Sequence, residues 1–398
     1  MSNFAIEKDN ENNNDFKQKN TKNYVNNSKD TLVDTKALTN NFQNTQKVIP
    51  KNINESNEYN FSKKENLEQY LNDNYKSFSE QFELIDFINQ GSYGYVYKIR
   101  YKKSINKDIY ALKFFYKKKS KEKKNKEKIE INKKKNDYSE VSIQKKFHHK
   151  NINKILAFSK INEYSFFTVL EIGKYGDLFN FMKNILKRET LTETVLNYFG
   201  KQILEGLQYI HSRKIIHLDI KPGNIIIDSD LIPKIIDFSA SCSYESFNQD
   251  DIVKFPFIGT GKFMAPEIIN KTSMKVNYAE KIDIYSFGVT IYYLLYGDYP
   301  YDLNNVDGKN YDEILKKKQT KELQFPKEIK ISKLLKDFLK GLLEKDYEKR
   351  LNIRESLEHP WIKGYQILDE EKQNIANQNI FIIKLITDSV LKFNEYLR

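Results

Sequence analysis

From residue 82 to residue 113, apolar side chains alternate around turn residues in the runs FELIDFINQ, GYVYKIRYK and IYALKFF. This period of two predicts three antiparallel strands. Past residue 190 the period lengthens to that of a helix: Leu196, Phe199, Ile203, Leu207 and Ile210 recur on one face, and TLTE ahead of them offers a cap. Residues 283 to 296, DIYSFGVTIYYLLY, are apolar on nearly every face, which predicts a helix buried inside its lobe. The expected fold class is therefore α+β, a small β-rich lobe followed by a larger, mainly α-helical one.

The flanks read differently. Residues 1–60 are Asn-rich and polar without a sustained period, so they cannot bury enough surface to offset the entropy of ordering and are expected to be disordered. Ser62 and Glu65 have the spacing of a capping box, followed by Leu67, Tyr70 and Leu71, so residues 61–81 are expected to form a short helical lead-in. The tail at 365–398 ends in NIFIIKLITDSVLKFNEYL, a helical pattern rich in Ile and Leu that either docks on the domain or binds a partner.

Charge changes this picture in one place. The formal net charge is +12, but residues 117–136 alone carry eleven Lys against three Glu. This run is expected to be an exposed insertion: a solvated face, a docking site for an acidic partner, or a nuclear-import or anionic-lipid patch. It lacks the interleaved aromatics of a nucleic-acid surface, so nucleic-acid binding is set aside. The single cysteine, Cys242, excludes an intramolecular disulfide and any multi-cysteine zinc site. With no signal-like N-terminus and no apolar run of about 18 residues, the expectation is a monomeric protein without a membrane span, cytoplasmic or nuclear.

The stretch IIHLDIKPGNIII sets His217, Asp219, Lys221 and Asn224 between apolar runs, four polar residues that a structural loop would not need together. Phosphoryl transfer asks a protein to hold phosphates, neutralise their charge through metal and aim a hydroxyl in line. The glycine-bearing INQGSYGYV, the lysine of YALKFF and the aspartate of KIIDFSAS supply the remaining parts, in that order along the chain. Together these segments resemble the eukaryotic protein kinase family, Ser/Thr type, over residues 82–364. The N-lobe would be 82–170, carrying the 117–136 insertion, and the C-lobe 171–364.

The resemblance implies ATP and Mg²⁺ as cofactors and protein Ser/Thr residues as substrates. It places Asp219 as catalytic base, Lys221 at the γ-phosphate, and Lys113 at the α- and β-phosphates, paired with Glu140. Asn224 and Asp237 would hold metal. The nucleotide pocket would be built from Ile88, Gly91, Gly94, Val96, Ala111, Leu170 and Ile226, with Glu171 to Gly173 as the hinge offering backbone groups to adenine and Asp177 contacting ribose. Thr260 would contact substrate and the catalytic aspartate, while His217, Phe238, Glu267, Asp283 and Arg350 would be structural.

Several positions depart from the family pattern. Asn89 and Ser239 replace glycines, Gln144 replaces an apolar residue behind Glu140, and Leu218 stands where kinases switched by loop phosphorylation carry Arg. The alternative they raise is an inactive pseudokinase serving as a binding scaffold. Gly223 replaces a Glu found in some basophilic kinases, which argues against a strong preference for upstream Arg.

Overall fold

The computed structural model describes residues 60–91, 94–104, 108–116, 139–162, 164–185 and 190–364. The N-terminal tail, the Lys-rich run and the C-terminal tail discussed above lie outside the described residues.

The first lobe is an antiparallel sheet of five strands: β1 (Phe82–Gln90), β2 (Tyr95–Tyr101), β3 (Ile109–Tyr116), β4 (Ile155–Lys160) and β5 (Ser165–Glu171), in the order β1-β2-β3-β5-β4. Alternation announces the first three but not the last two. In β5 every residue before Glu171 is buried, so covering both faces erases the period of two.

The outer cover comes from the segment ahead of β1. Helices α1 (Lys64–Asn74) and α2 (Ser77–Gln81) bury Leu67, Tyr70, Leu71 and Phe78 against the sheet. Phe61 is wholly buried, its ring 5.0 to 5.7 Å from those of Tyr70, Tyr95, Phe114 and Tyr116. Its carbonyl accepts from the Tyr97 hydroxyl at 2.5 Å. The capping box expected at Ser62 and Glu65 does not form. The Ser62 hydroxyl donates instead to Asn60 Oδ1 at 2.5 Å, closing the turn that sends Phe61 inward, and α1 starts with an uncapped Lys63.

The second lobe is helical: after α3 (Ser139–Gln144), which packs against the first, come α4 (Leu178–Asn180), α5 (Glu193–Ser212), α6 (Lys281–Tyr296), α7 (Tyr311–Thr320) and α8 (Lys333–Leu342). All five periodic residues of α5 are buried. Thr192 occupies its cap position without a side-chain bond, and Glu193 turns away to accept from Trp361 Nε1 at 2.9 Å, tying the start of α5 to the C-terminal end of the described fold. Helix α6 is buried on every side except at Tyr293 and its last residue, Tyr296. It is the post on which the polar loops of the site are mounted.

Candidate active site

On β3, side chains alternate between faces, so while Phe114 meets Phe61 its neighbour Lys113 points the other way, into the cleft. Lys113 Nζ reaches Glu140 Oε1 on α3 at 2.6 Å and Asp237 Oδ1 at 2.9 Å. Burial opposes charge on this lysine, but the two carboxylates outweigh it and its pKa is raised. Asp237 shows the converse. Burial would lift its pKa, yet the charge and hydrogen bond of Lys113, with a further hydrogen bond from Ser239, bring it down to about 2. Ser239, a departure from the family pattern, thus helps hold the aspartate ionised. Asp237 itself sits at φ +63°, a left-handed conformation that Asp tolerates better than most residues.

Gln144 is accommodated as well. Its side-chain N–H donates to the Asn153 carbonyl at 2.9 Å, so a buried polar group is satisfied while α3 keeps Glu140 on Lys113. Phe238 lies between the rings of Phe147 and His217, at 5.1 and 5.0 Å, and His217 Nε2 meets the Ile236 carbonyl at 2.9 Å.

Asp219 is the centre of the densest polar cluster. Its Oδ1 accepts from the Thr260 N–H at 2.9 Å and hydroxyl at 2.8 Å, and its Oδ2 from Lys221 Nζ at 2.7 Å and Asn224 Nδ2 at 2.9 Å. Lys221 also donates to the Thr260 hydroxyl at 2.6 Å. The loop is fixed from beneath by Asp283 on α6, fully buried, which accepts from the backbone N–H of His217 at 2.8 Å and of Leu218 at 2.9 Å. Burial works against this charge, but His211 and the His217 amide keep the carboxyl below its ordinary range. The two amide bonds hold Leu218 at φ +67°, which a branched side chain rarely adopts.

The proposed nucleotide walls fall along the strands facing this cluster. Ala111 pairs with Leu170, and Val96 with Lys113. Ile226 forms a bridge with Asp177, and Ile88 stands half-exposed at a bulge of β1. The Gly91 N–H donates to the Gly94 carbonyl at 2.9 Å, and a Cβ on Gly94 would lie 2.5 Å from the Phe114 carbonyl, so only glycine lets the chain run this close to β3.

In the hinge, the Glu171 N–H donates to Lys154 and its carbonyl accepts from Asn153, while the Gly173 carbonyl accepts from Gly176. Ile172 is thus the hinge residue with neither backbone group engaged among the described residues. Asp177 also caps α4: its Oδ1 accepts from the Asn180 N–H at 2.9 Å and its Oδ2 from Asn180 Nδ2 at 2.5 Å, which leaves each oxygen a further lone pair.

The segment after Asp237 returns to the core through Tyr244. Its N–H donates to the Lys214 carbonyl at 2.9 Å, its ring is buried, and its hydroxyl donates to the His211 carbonyl at 3.3 Å. Beyond Thr260, Glu267 takes a two-pronged contact from Arg350, at 2.6 and 3.0 Å, with no solvent exposure at the guanidinium. Lys318 on α7 is also fully buried, donating to the carbonyls of Lys262 at 2.9 Å and Met264 at 2.6 Å. Sequence reasoning passed over Lys318 because it stands in the run KKKQTK, which reads as a solvated face, and over Tyr244 because an isolated aromatic in a polar loop carries no period.

The donor set fits a magnesium nucleotide. Asn224 commits Nδ2 to Asp219, whose backbone carbonyl and Oδ2 it meets at 2.8 and 2.9 Å, so its oxygen is the side-chain atom left for a cation. With the ionised Asp237 it makes a pair of hard oxygen ligands, few enough to suit a metal that completes its shell from phosphates and water.

Residues 82–362 match the family model described as "Protein kinase domain". The chain is 33% identical over 315 residues to calcium-dependent protein kinase 4 of Plasmodium falciparum (isolate 3D7), covering 77% of this chain and 54% of that protein. It is 36% identical over 237 residues to death-associated protein kinase 2 of Mus musculus, covering 56% of this chain and 57% of that protein. The chain thus spans a little over half the length of the curated relatives it matches.

Proposed function

The chain belongs to the protein kinase family, and from that premise we propose that it transfers the γ-phosphoryl group of ATP to serine and threonine hydroxyls of proteins. The observation that carries this reading is the Asp219 cluster, a carboxylate held by Lys221, Asn224 and Thr260 in one rigid constellation. Residues 82–364 form the catalytic domain in this reading, and the Lys-rich run at 117–136 offers its charge to acidic regions of partner proteins.

Asp219 orients the incoming hydroxyl and takes its proton as the oxygen attacks phosphorus. All four of its lone-pair directions are occupied, so the hydroxyl enters by replacing one donor. The Thr260 hydroxyl is the donor that gives way, since its backbone N–H keeps its grip on Oδ1. Lys221, placed between Asp219 and Thr260, balances negative charge on the transferred group. Lys113 holds the non-transferred phosphates, kept in place by Glu140. Asn224 and Asp237 would ligate Mg²⁺, which supplies charge neutralisation across the phosphates when bound.

The test is transfer of radiolabelled phosphate from ATP to protein by the wild type and by Asp219→Ala. The variant should lose at least about a hundredfold, the usual worth of a positioned general base. Equal incorporation by the two would remove the assignment.

A further inference from the structure

Beside the catalytic loop lies a cleft of ≈ 240 Å³ whose lining includes Lys221, Gly223 and the rings of Phe179, Phe263, Tyr293 and Tyr299. Resting on the kinase reading above, we infer that this cleft is a specificity subsite for a large apolar side chain of the protein substrate, preferentially aromatic, and that it disfavours arginine.

The four rings form one connected wall. Tyr293 lies 4.9 Å from Tyr299, 6.1 Å from Phe179 and 6.2 Å from Phe263, and Phe263 lies 5.5 Å from Tyr299. Phe179, Tyr293 and Tyr299 are only partly covered, which leaves ring surface for an incoming ring to meet in offset or edge-on contact. Tyr293 is the one residue of α6 before its last that is not buried, and it opens onto this cleft.

Charge decides between an apolar occupant and a cationic one. Aromatic walls also attract cations, but here protein lysines already hold those positions: Lys183 Nζ stands 4.6 Å over Phe179 and Lys262 Nζ 4.7 Å over Tyr299. Lys221 adds a third ammonium. Asp177, the one carboxylate among the described lining residues, accepts from Asn180 on both oxygens and keeps one lone pair on each. A guanidinium would therefore enter among three ammonium groups against that single carboxylate, whereas a ring or a leucine side chain meets no such opposition.

Lys221 also fixes where along the substrate this residue falls. It lines the cleft and donates to Asp219 at 2.7 Å, so cleft and reacting hydroxyl are separated by about one lysine side chain. In an extended peptide that distance corresponds to roughly two or three residues.

Gly223 provides a clean test, because a Cβ built there meets nothing within 4 Å, so Gly223→Glu adds a carboxylate at the cleft without a clash. The 398-residue chain is assayed against a positional-scanning Ser/Thr peptide library. Wild type should favour Phe, Tyr or Leu over Arg by about tenfold at a position two or three residues from the acceptor, the scale on which an apolar pocket discriminates. Gly223→Glu should raise Arg at that same position, and Tyr299→Ala should weaken the aromatic preference there. Robust incorporation with Arg favoured, with no selection, or with a preference that neither variant changes would overturn the subsite. Absence of incorporation into any peptide would overturn the kinase reading beneath it.

Discussion

Replacing Arg350 by Met tests how the second lobe balances three buried ionisable groups, Arg350, Glu267 and Lys318. Arg350 gives two bonds to Glu267 and one each to the carbonyls of Lys281 at 2.8 Å and Glu344 at 2.9 Å. Removing one partner of a buried pair leaves the other charge uncompensated, at about 3–5 kcal/mol. The nearby Lys318 modifies that sum. Burial pushes its pKa well down; Glu267 raises it and Arg350 lowers it. Without Arg350, one of the two influences lowering its pKa is gone, so Lys318 is better able to carry charge beside Glu267. The single variant should therefore fall at the low end, about 3 kcal/mol, or roughly 6–12 °C in melting temperature for a domain of this size. Adding Lys318→Met removes the reserve cation, so the double variant should lose more than the sum of its parts by about 1 kcal/mol or more. The assay is urea unfolding of the four proteins of this cycle. An Arg350→Met loss under about 1 kcal/mol, or strict additivity with Lys318→Met, would refute the reasoning.

Asp237 gives a pH dependence with a fixed sign. Its carboxyl is lowered from 3.8 to about 2, so it stabilises the fold above its unfolded value and loses that contribution as pH falls from 3.8 toward 2. Urea unfolding should show about 2 kcal/mol lost over that window in the wild type beyond what Asp237→Asn loses, and parallel curves would count against it. Since Leu218 leaves no Arg beside Asp219 to bind a phosphorylated loop, and Tyr244 already pins the segment, phosphatase-treated protein should keep most of its activity in a peptide transfer assay; near-complete loss would contradict this. Tyr244→Phe should cost about 1 kcal/mol, one hydrogen bond, by thermal unfolding. Tyr244→Ala should cost roughly 3–5 kcal/mol as the buried ring is lost, so equal melting temperatures for the two would deny the ring its anchoring part.

What could be read from the sequence was what short spacing encodes. Asp219, Lys221 and Asn224 lie within six residues of one another, and the structure gathers them around one carboxylate. Strands β1 and β2 announce themselves because one face stays open enough to keep the alternation, whereas β5 is covered on both faces and loses it. Contacts over long separations left no local trace. Phe61 meets Phe114 although it is flanked by polar residues, and Lys318 is stripped of water although it looks like any surface lysine. Asp177 shows a different limit: its place in the chain suggested a ligand contact and gave no sign that its carboxylate also caps a helix start three residues long.

Phe61 bears on where this fold ends. The match to the family model begins at residue 82, which marks what the chain shares with the family rather than what holds together when cut out. Trimming at that point would strip Phe61, Leu67, Tyr70, Leu71 and Phe78 from the sheet, at roughly 1.5–3 kcal/mol each. The sum is comparable with the entire margin by which a domain of ordinary stability stays folded. Phe61 also touches the residue next to Lys113 on the same strand, from the opposite side. The polypeptide that enters at residue 60 is therefore a handle on β3, and any force or binding event that pulls on it is felt one strand-thickness away from the Lys113–Glu140 pair.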